Sequence, residues 1–384
     1  MRRRLFAPIL LAGLLLAPAQ LAAQATHPEI DAAMRAYARG DFDTGIQYLN
    51  VVLASQMLGE REKALVHAGL GFGWQSKGVR GKALDHYNRS LAIDPANADT
   101  YGMRGKCFVD FKEYERAAAD FSRVIELKPN DYAGYASRGA ANFLLQQYEA
   151  AAADLGRALE LKPGDLFSLF QRGLAQAALK RHEQAVADFG AFLVQEPDNL
   201  EVLCRRGQYL FVGGKPEQAV ADFSRAIELK PDFDWAYYLR SRTLMCLREF
   251  AKAATDLRKA IELNDKYAGA HNNLAWLLAT CRDPAFRDPA QAVRHAQAAL
   301  ALIREDKDRE PHAETAYTDT LAAAYAVAGQ WAKAIEAQTR VVEAARAARL
   351  RNLSDFEKRL DLFRKHKPFV DLDECGGLDE DAAE

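Results

Sequence analysis

A period of 34 residues runs through most of the 384-residue chain and limits what it can fold into. The stretch "FSRVIELKPN" begins at Phe121, and "FSRAIELKPD" begins three periods later at Phe223. Three columns keep the same register: glycine at Gly71, Gly105, Gly139, Gly173 and Gly207, alanine at Ala83, Ala117, Ala151, Ala185, Ala219 and Ala253, and proline at Pro95, Pro129, Pro163, Pro197 and Pro231. A fixed period of this length predicts stacked copies of one supersecondary unit.

One repeat, residues 200–231, predicts two helices. Apolar residues recur at helical spacing in each half, and a Gly-Gly pair separates the halves. Pro216 suits the first turn of the second helix, and Pro231 lies just past its end. Gly207 and Ala219 are small, which lets the two helices approach closely. Because one helical hairpin cannot bury both of its apolar stripes, the hairpins must stack. An aromatic column is expected to fill the space between neighbouring hairpins: Tyr87, Phe121, Phe189 and Phe223.

The period, the columns and the two-helix pattern resemble the tetratricopeptide repeat family over residues 26–347. The resemblance implies an all-α, right-handed superhelical solenoid of about nine helix–turn–helix hairpins. It also implies a groove, lined by the first helix of each hairpin, in which another protein binds. The eighth hairpin departs from the pattern by five extra residues in its turn. Residues 348–369 are predicted to form a C-terminal capping helix, followed by an acidic, disordered tail at 370–384.

Two charged columns accompany the repeat. Five arginines each precede an aspartate by 16 residues: Arg104 and Asp120, Arg138 and Asp154, Arg172 and Asp188, Arg206 and Asp222, Arg240 and Asp256. The hairpins that lack the arginine also lack the aspartate. The simplest interpretation is an ion pair between the two helices of one hairpin. The alternative is a stripe of arginines that binds anions.

The first 25 residues predict a cleaved export signal. Three arginines precede an apolar run, and Ala23-Gln24-Ala25 fits a cleavage site that would leave Thr26 as the mature start. The apolar run is short for a membrane span. An uncleaved anchor is the alternative. We therefore expect a periplasmic or secreted bacterial protein with no membrane span after cleavage.

Charge and motifs exclude several classes of function. The signal holds three of the 51 basic residues and none of the 53 acidic ones, so the mature chain is acidic. This argues against nucleic acid as a partner, for which a basic face is expected. Neither a catalytic motif nor a phosphate-binding loop is present, and the histidines lack metal-ligand spacing. We predict a protein that is not an enzyme, with no cofactor and no metal.

The five cysteines form no CxxC pair. Cys246 and Cys281 fall at the C-terminal ends of adjacent first helices, and export would make oxidation possible. The sequence therefore predicts a disulfide between Cys246 and Cys281.

The predicted function is a cell-envelope scaffold that binds a protein or peptide partner in the groove; the oligomeric state stays open. The alternative is an accessory subunit of an envelope assembly or secretion machine that binds through an outer face. An aromatic residue at helical spacing also fits a core position, which is the competing interpretation of the groove residues. The predicted groove contains Phe143, Phe167, Phe170, Phe211, Trp235, Tyr238, Arg242, Met245, Asn272 and Trp276.

Overall fold

The structure is a computed structural model that describes residues 27–55, 58–306 and 312–370. In these ranges the chain forms nineteen α-helices and one short 3-10 helix, and it contains no strand. The predicted signal at 1–25 and all but the first residue of the predicted tail at 370–384 lie outside the described residues. The chain divides into two compact units, unit 1 up to Gln195 and unit 2 from Glu196 onward, and each is described by itself.

Unit 1 contains five helical hairpins within its described residues. Their helices are α1 (Pro28–Ala38) and α2 (Phe42–Ala54), α3 (Glu60–Ser76) and α4 (Arg80–Ile93), α5 (Ala98–Asp110) and α6 (Tyr114–Leu127), α7 (Tyr132–Leu144) and α8 (Tyr148–Leu161), and α9 (Leu166–Ala178) and α10 (His182–Gln195).

Unit 2 contains four more hairpins and a final helix within its described residues. Its helices are α11 (Leu200–Val212) and α12 (Pro216–Leu229), α13 (Asp234–Cys246) and α14 (Phe250–Leu263), α15 (Ala268–Thr280) and α16 (Pro289–Glu305), α17 (Ala313–Val327) and α18 (Trp331–Ala347), and α19 (Leu353–Arg364). Pro216 occupies the first turn of α12, as the sequence predicted. The predicted all-α solenoid of nine hairpins is confirmed in the described residues.

The glycine column allows an aromatic ring to enter each hairpin. A Cβ atom on Gly207 would lie 2.6 Å from the ring of Phe223, and one on Gly105 would lie 2.8 Å from the ring of Phe121. Both rings are at most 1% exposed. Each ring contacts the glycine of its own hairpin, where the missing side chain leaves room for it. Phe121 also belongs to the core cluster that contains Ala141 of the next hairpin, so its predicted place between neighbouring hairpins is confirmed.

All five arginine–aspartate pairs form within single hairpins. In each pair, the arginine Nε and Nη2 donate to the two carboxylate oxygens of the aspartate. The aspartate side chains are at most 12% exposed. This bidentate geometry is the strong form of the interaction. The ion-pair interpretation is therefore confirmed. Each of these five arginines already has a carboxylate partner within its own hairpin.

Two hairpins replace the ion pair with a pair of histidines. Nδ1 of His67 lies 3.0 Å from Nδ1 of His86, between α3 and α4. Nδ1 of His271 lies 2.9 Å from Nδ1 of His295, between α15 and α16. His86 and His295 stand at the positions where the other hairpins carry aspartate. Each pair therefore connects the two helices of its hairpin in place of the missing charges.

The final helix covers the apolar side of the last hairpin. Phe356 and Leu360 of α19 pack against Val341 and Val342 of α18. This helix lies within the segment predicted to cap the solenoid. The five extra residues of the eighth hairpin include the 3-10 helix Pro284–Phe286, between α15 and α16.

Candidate partner-binding face

Helix α13 presents a row of long side chains on one side. Trp235, Tyr238 and Arg242 are separated by three and four residues, so they lie above one another along the helix. Asn272 and Trp276 stand four residues apart on α15 in the same way. All except Arg242 are partly exposed. We call these five residues, together with Tyr267, the unit-2 face.

Aromatic contacts connect α13 with the start of α15. The rings of Tyr238 and Tyr267 have their centres 4.7 Å apart. Gly269 makes this contact possible, since a Cβ atom there would lie 3.2 Å from the Tyr238 hydroxyl oxygen. On the other side, the guanidinium of Arg205 lies 5.6 Å from the centre of the Trp235 ring. The unit-2 face is therefore a packed surface rather than a set of isolated side chains.

Four buried polar atoms on or next to this face have no hydrogen-bond partner in the structure. They are Nε of Arg242, the hydroxyl of Tyr267, Oδ1 of Asn272 and Nδ2 of Asn273. Such atoms are rare in folded proteins, because a buried polar group that loses water without gaining a partner costs free energy.

Among these four residues, Arg242 is the one that carries a charge. Its side chain is 8% exposed, and its guanidinium lies 5.9 Å from the centre of the Tyr238 ring. None of the ion pairs formed by the described residues involves Arg242. Arg240, two residues earlier on α13, donates to both carboxylate oxygens of Asp256. Helix α13 thus carries a partly buried arginine that is paired with a carboxylate and a buried arginine that forms no ion pair among the described residues.

The ionisation of the tyrosines follows from their burial. Burial raises the pKa of Tyr267 well above its ordinary value, although the nearby Arg242 lowers it in part. Burial is also the largest cause of the raised pKa of Tyr317 on α17. Both hydroxyls therefore keep their protons at neutral pH, and Tyr267 is available as a hydrogen-bond donor beside the guanidinium.

Three of the predicted groove residues are core side chains. Phe167 is 9% exposed, while Phe170 and Met245 are each 4% exposed. Phe170 packs against the rings of Phe189 and Phe192, with ring centres 5.9 and 6.3 Å apart. These three side chains fill space between helices, and we leave them out of the unit-2 face.

The other predicted groove residues are distributed over both units. Phe143 is partly buried in unit 1, where its ring centre lies 5.4 Å from that of Tyr148. Phe211 is partly buried on α11 of unit 2. A surface that combines the aromatic residues of both units stays a prediction. The unit-2 face contains five of the predicted residues on adjacent first helices of one unit: Trp235, Tyr238 and Arg242 on α13, and Asn272 and Trp276 on α15.

The predicted Cys246–Cys281 disulfide is wrong. Cys281 keeps a buried thiol, as do Cys107 and Cys204. Cys246 is disulfide-bonded. The sequence argument found a cysteine that forms a disulfide but assigned it the wrong partner, because it considered only residues on neighbouring first helices.

Within 27–55, 58–306 and 312–370, no three residues among the histidines, cysteines and acidic side chains are placed to hold a metal ion. In the same ranges, no helix combines the length and the apolar character needed to cross a bilayer.

The histidine pairs are the residues that sequence reasoning missed. The hairpins at Leu70 and Leu274 lack both charged residues, and His86 and His295 stand where the aspartates would be. The absence of both charged residues was the sequence signal that could have pointed to the histidine pairs. The partners lie 19 and 24 residues away, so the intervals along the chain did not reveal them.

Comparison with known proteins identifies the repeat. A family profile described as tetratricopeptide repeat matches residues 103–166 and 170–232, and a second profile with the same description matches residues 236–267. A comparison with curated protein sequences found no match.

Three solved structures are similar to this chain, and the first of them shares its fold. The C-terminal part of a TPR repeat-containing protein from Cytophaga hutchinsonii is 18% identical with a TM-score of 0.52, over 62% of this chain and 95% of that one. A tetratricopeptide repeat protein from Parabacteroides merdae is 20% identical with a TM-score of 0.47, over 62% and 92%. YrrB, a TPR protein with an unusual peptide-binding site, is 20% identical with a TM-score of 0.45, over 48% and 95%.

The repeat profiles agree with the 34-residue columns, and the helices have the bounds that those columns predict. Proteins with this repeat bind protein or peptide partners and are generally scaffolds rather than enzymes. A protein-interaction scaffold is therefore the function class that the fold indicates. The chain contains tetratricopeptide repeats, which the two profiles match between residues 103 and 267.

Proposed function

We propose that this chain is a non-enzymatic scaffold, exported to the bacterial cell envelope, and that it binds a segment of a protein partner on the unit-2 face. The observation that carries the proposal is Arg242, a buried arginine whose Nε lacks a partner beside two tyrosine rings. A buried charge without a counter-charge is costly, so a face that keeps one is suited to an acceptor brought by a partner.

The face defines the chemistry of the segment that it would bind. Trp235 and Tyr238 offer aromatic surface to an apolar side chain, and aromatic residues and arginine contribute most to binding at interfaces. Arg242 and Tyr267 both donate, so the segment must bring a carboxylate or a backbone carbonyl to this point. Asn272 adds an acceptor for a backbone N–H. An extended or helical peptide with one apolar and one acidic side chain meets these requirements.

The envelope location is part of the proposal. The export signal predicted at residues 1–25 supports it. The disulfide bond of Cys246 also supports it, since disulfides persist in oxidising compartments such as the periplasm.

Crosslinking in the native cell envelope tests the function and identifies the partner by mass spectrometry. We expect Trp235→Ala and Tyr238→Ala to reduce the crosslinked partner at least about fivefold, which corresponds to roughly 1 kcal/mol of binding free energy. Tyr237→Ala is the matched control, because Tyr237 is on the same helix and donates its hydroxyl to the carbonyl of Pro231. If all three variants capture the partner equally well, the unit-2 face is not the partner-binding site.

A further inference from the structure

Two positions of the repeat continue the unit-2 face from α13 to α15. Arg242 and Trp276 are 34 residues apart, so they occupy the same position of consecutive repeats, and so do Tyr238 and Asn272. On each helix the first of these positions lies about one turn after the second. A partner segment that crosses from α13 to α15 along this row meets Trp276 directly after Arg242. Access to Trp276 therefore decides how far along the face such a segment can bind.

After α19, a tight turn changes the direction of the chain. His366 adopts a left-handed conformation with φ 55°. The N–H groups of His366 and Lys367 donate to the carbonyls of Phe363 and Leu362, 3.0 and 2.9 Å away. This pattern is the Schellman motif, which closes the C-terminus of a helix. We call the residues that follow the helix, 366–370, the strap.

The strap covers Trp276 with an aromatic ring. The ring centres of Phe369 and Trp276 lie 5.8 Å apart. The guanidinium of Arg359, on α19, lies 5.1 Å from the centre of the Phe369 ring and 5.7 Å from that of Trp276. Both rings are partly buried. Trp276 and Arg359 thus form a site that accepts an aromatic ring, and the chain's own Phe369 occupies it.

The receiving side of this site is held in place independently of the strap. Arg359 donates from Nε to Oδ1 of Asp319 on α17, 2.9 Å away, and Asp319 also accepts a hydrogen bond from Gln338 on α18. The side chains of Arg359 and Asp319 are only 12% and 7% exposed. Because none of these partners belongs to the strap, the guanidinium keeps its position when Phe369 leaves it.

Beyond the turn, the strap is held by side chains. Among the described residues, no backbone hydrogen bond involves the last two residues of the strap, and Pro368 has no N–H to donate. Apart from Phe369, its ring contact is the stack of His366 on Trp331, with ring centres 5.2 Å apart and an angle of 15° between the planes. The first three residues of the strap are exposed. Few buried contacts and few backbone bonds are the features of a segment that opens locally.

We propose that the strap is an autoinhibitory segment: Phe369 occupies the Trp276–Arg359 site, and the partner binds there by displacing it with an aromatic side chain of its own. Because only the open fraction of the chain can bind, a closed strap lowers the apparent affinity for the partner. The partner segment then carries an acceptor for Arg242 and, one repeat further along the row, an aromatic side chain. The competition rests on the proposed function; the contacts of the strap with Trp276 do not.

Hydroxyl-radical footprinting with mass spectrometry tests the coverage of Trp276 in the full-length chain without any partner. We expect Trp276 to be oxidised at least about threefold faster in Phe369→Ala than in the wild type, because the loss of the ring shifts the strap to its open state. Lys367→Ala is the matched control, since Lys367 is exposed in the same strap, and it should leave the rate unchanged. Trp74 of unit 1 is the internal reference. Equal oxidation of Trp276 in all three proteins would overturn the proposal.

Crosslinking in the native cell envelope tests the competition. We expect Phe369→Ala to increase the crosslinked partner per folded chain at least about threefold, since a larger fraction of the chain has an open site. Lys367→Ala should leave capture unchanged. Adding Trp276→Ala to Phe369→Ala should remove the gain, because the aromatic site is lost. Unchanged or reduced capture by Phe369→Ala would overturn the proposal, as would a gain that persists without Trp276.

The outcomes separate this proposal from the proposed function. If Trp235→Ala and Tyr238→Ala reduce capture while Phe369→Ala does not raise it, the unit-2 face binds the partner and the strap is a fixed cap. If those two variants capture as the wild type does while Phe369→Ala raises capture through Trp276, the proposed function is wrong for the rest of the face and the competition at Trp276 stands.

Discussion

The arginines of this chain show how much the surroundings of a single charge matter. In five hairpins a guanidinium and a carboxylate form two hydrogen bonds inside a largely buried site. Removing one partner leaves the other buried without compensation, which costs about 3–5 kcal/mol when burial is complete. The arginines are 20–30% exposed, so the cost here should fall below that range.

The pair of Arg172 and Asp188 allows a direct test at the residue scale. We expect Arg172→Ala and Asp188→Ala each to lower the free energy of unfolding by about 1–3 kcal/mol, and the double variant to lower it by less than the sum. Urea denaturation measures all three. Arg181→Ala is the control, since Arg181 is exposed and bonds only weakly to Gln176. If the two single losses in the free energy of unfolding add up to that of the double variant, Arg172 and Asp188 have no measurable coupling energy.

The histidine pairs predict how stability depends on pH. The pKa values of His86 and His295 are lowered to about 4, chiefly by burial and then by the charge of the histidine opposite. The arginines and lysines nearby lower them further, while Asp85 and Asp288 act in the other direction. Because the folded pKa lies below the unfolded value of about 6.5, protonation favours unfolding. The contribution to stability is complete above pH 6.5 and is lost as the pH falls toward 4.

We therefore expect the melting temperature to fall between pH 7 and pH 4.5. A double His86→Gln, His295→Gln variant should have a flatter profile over that range. Thermal melts followed by circular dichroism measure both. An unchanged slope in the variant would assign the pH dependence to the acidic residues instead.

At the scale of the elements, the turns inside six of the hairpins share one feature: a residue with positive φ recurs at the same position of the repeat. Six residues spaced by 34 adopt a left-handed conformation with φ between 58° and 75°: Gly78, Lys112, Gln146, Lys180, Gly214 and Arg248. Only glycine adopts this region without a steric cost, which for other residues is about 1–2 kcal/mol. The chain therefore accepts strain at four of these six turns.

Two substitutions at these turns should have opposite effects. We expect Lys180→Gly to raise the free energy of unfolding by about 1 kcal/mol and Gly214→Ala to lower it by a similar amount. Urea denaturation provides the measurement. Gly81→Ala is the matched control, because Gly81 is in α4 with no atom near its missing Cβ and should gain helix propensity. A loss of stability in Lys180→Gly would show that the turn is not strained.

Sequence reasoning predicted the hairpins well because each column has a local cause. Gly207 is small where Phe223 enters, and Pro216 begins α12. The face was harder to predict. Tyr238 and Arg242 could be assigned to one side of a helix by spacing. The burial of Phe170 could not be predicted, because it depends on Phe192 of the opposing helix as well as on the repeat position.

At the scale of the whole molecule, the repeat pattern could not predict contacts between segments that are far apart in the sequence. The contact between Phe369 and Trp276 joins the segment after α19 to α15, and no column relates the two. A repeat describes each hairpin and its neighbour, so it carries no information about a segment that follows the last hairpin and returns to an earlier one.

Export is a prediction about the whole molecule as well. If residues 1–25 are cleaved, the mature chain begins at Thr26. Intact mass spectrometry of the protein from the envelope fraction should show this start. An intact Met1 on the envelope-associated protein would replace the signal with an anchor.

The measurement that tests the central claim most directly compares two arginines two residues apart on α13. Arg242 forms no ion pair with a carboxylate among the described residues, whereas Arg240 is paired with Asp256. We expect Arg242→Met to leave the free energy of unfolding within about 1 kcal/mol of the wild type, because it removes an uncompensated charge, while crosslinked partner is lost. Arg240→Met should instead lower stability and spare capture by the folded fraction. If Arg242→Met lowers the free energy of unfolding as much as Arg240→Met does while capture by the folded fraction persists, the unit-2 face is core and not a binding site.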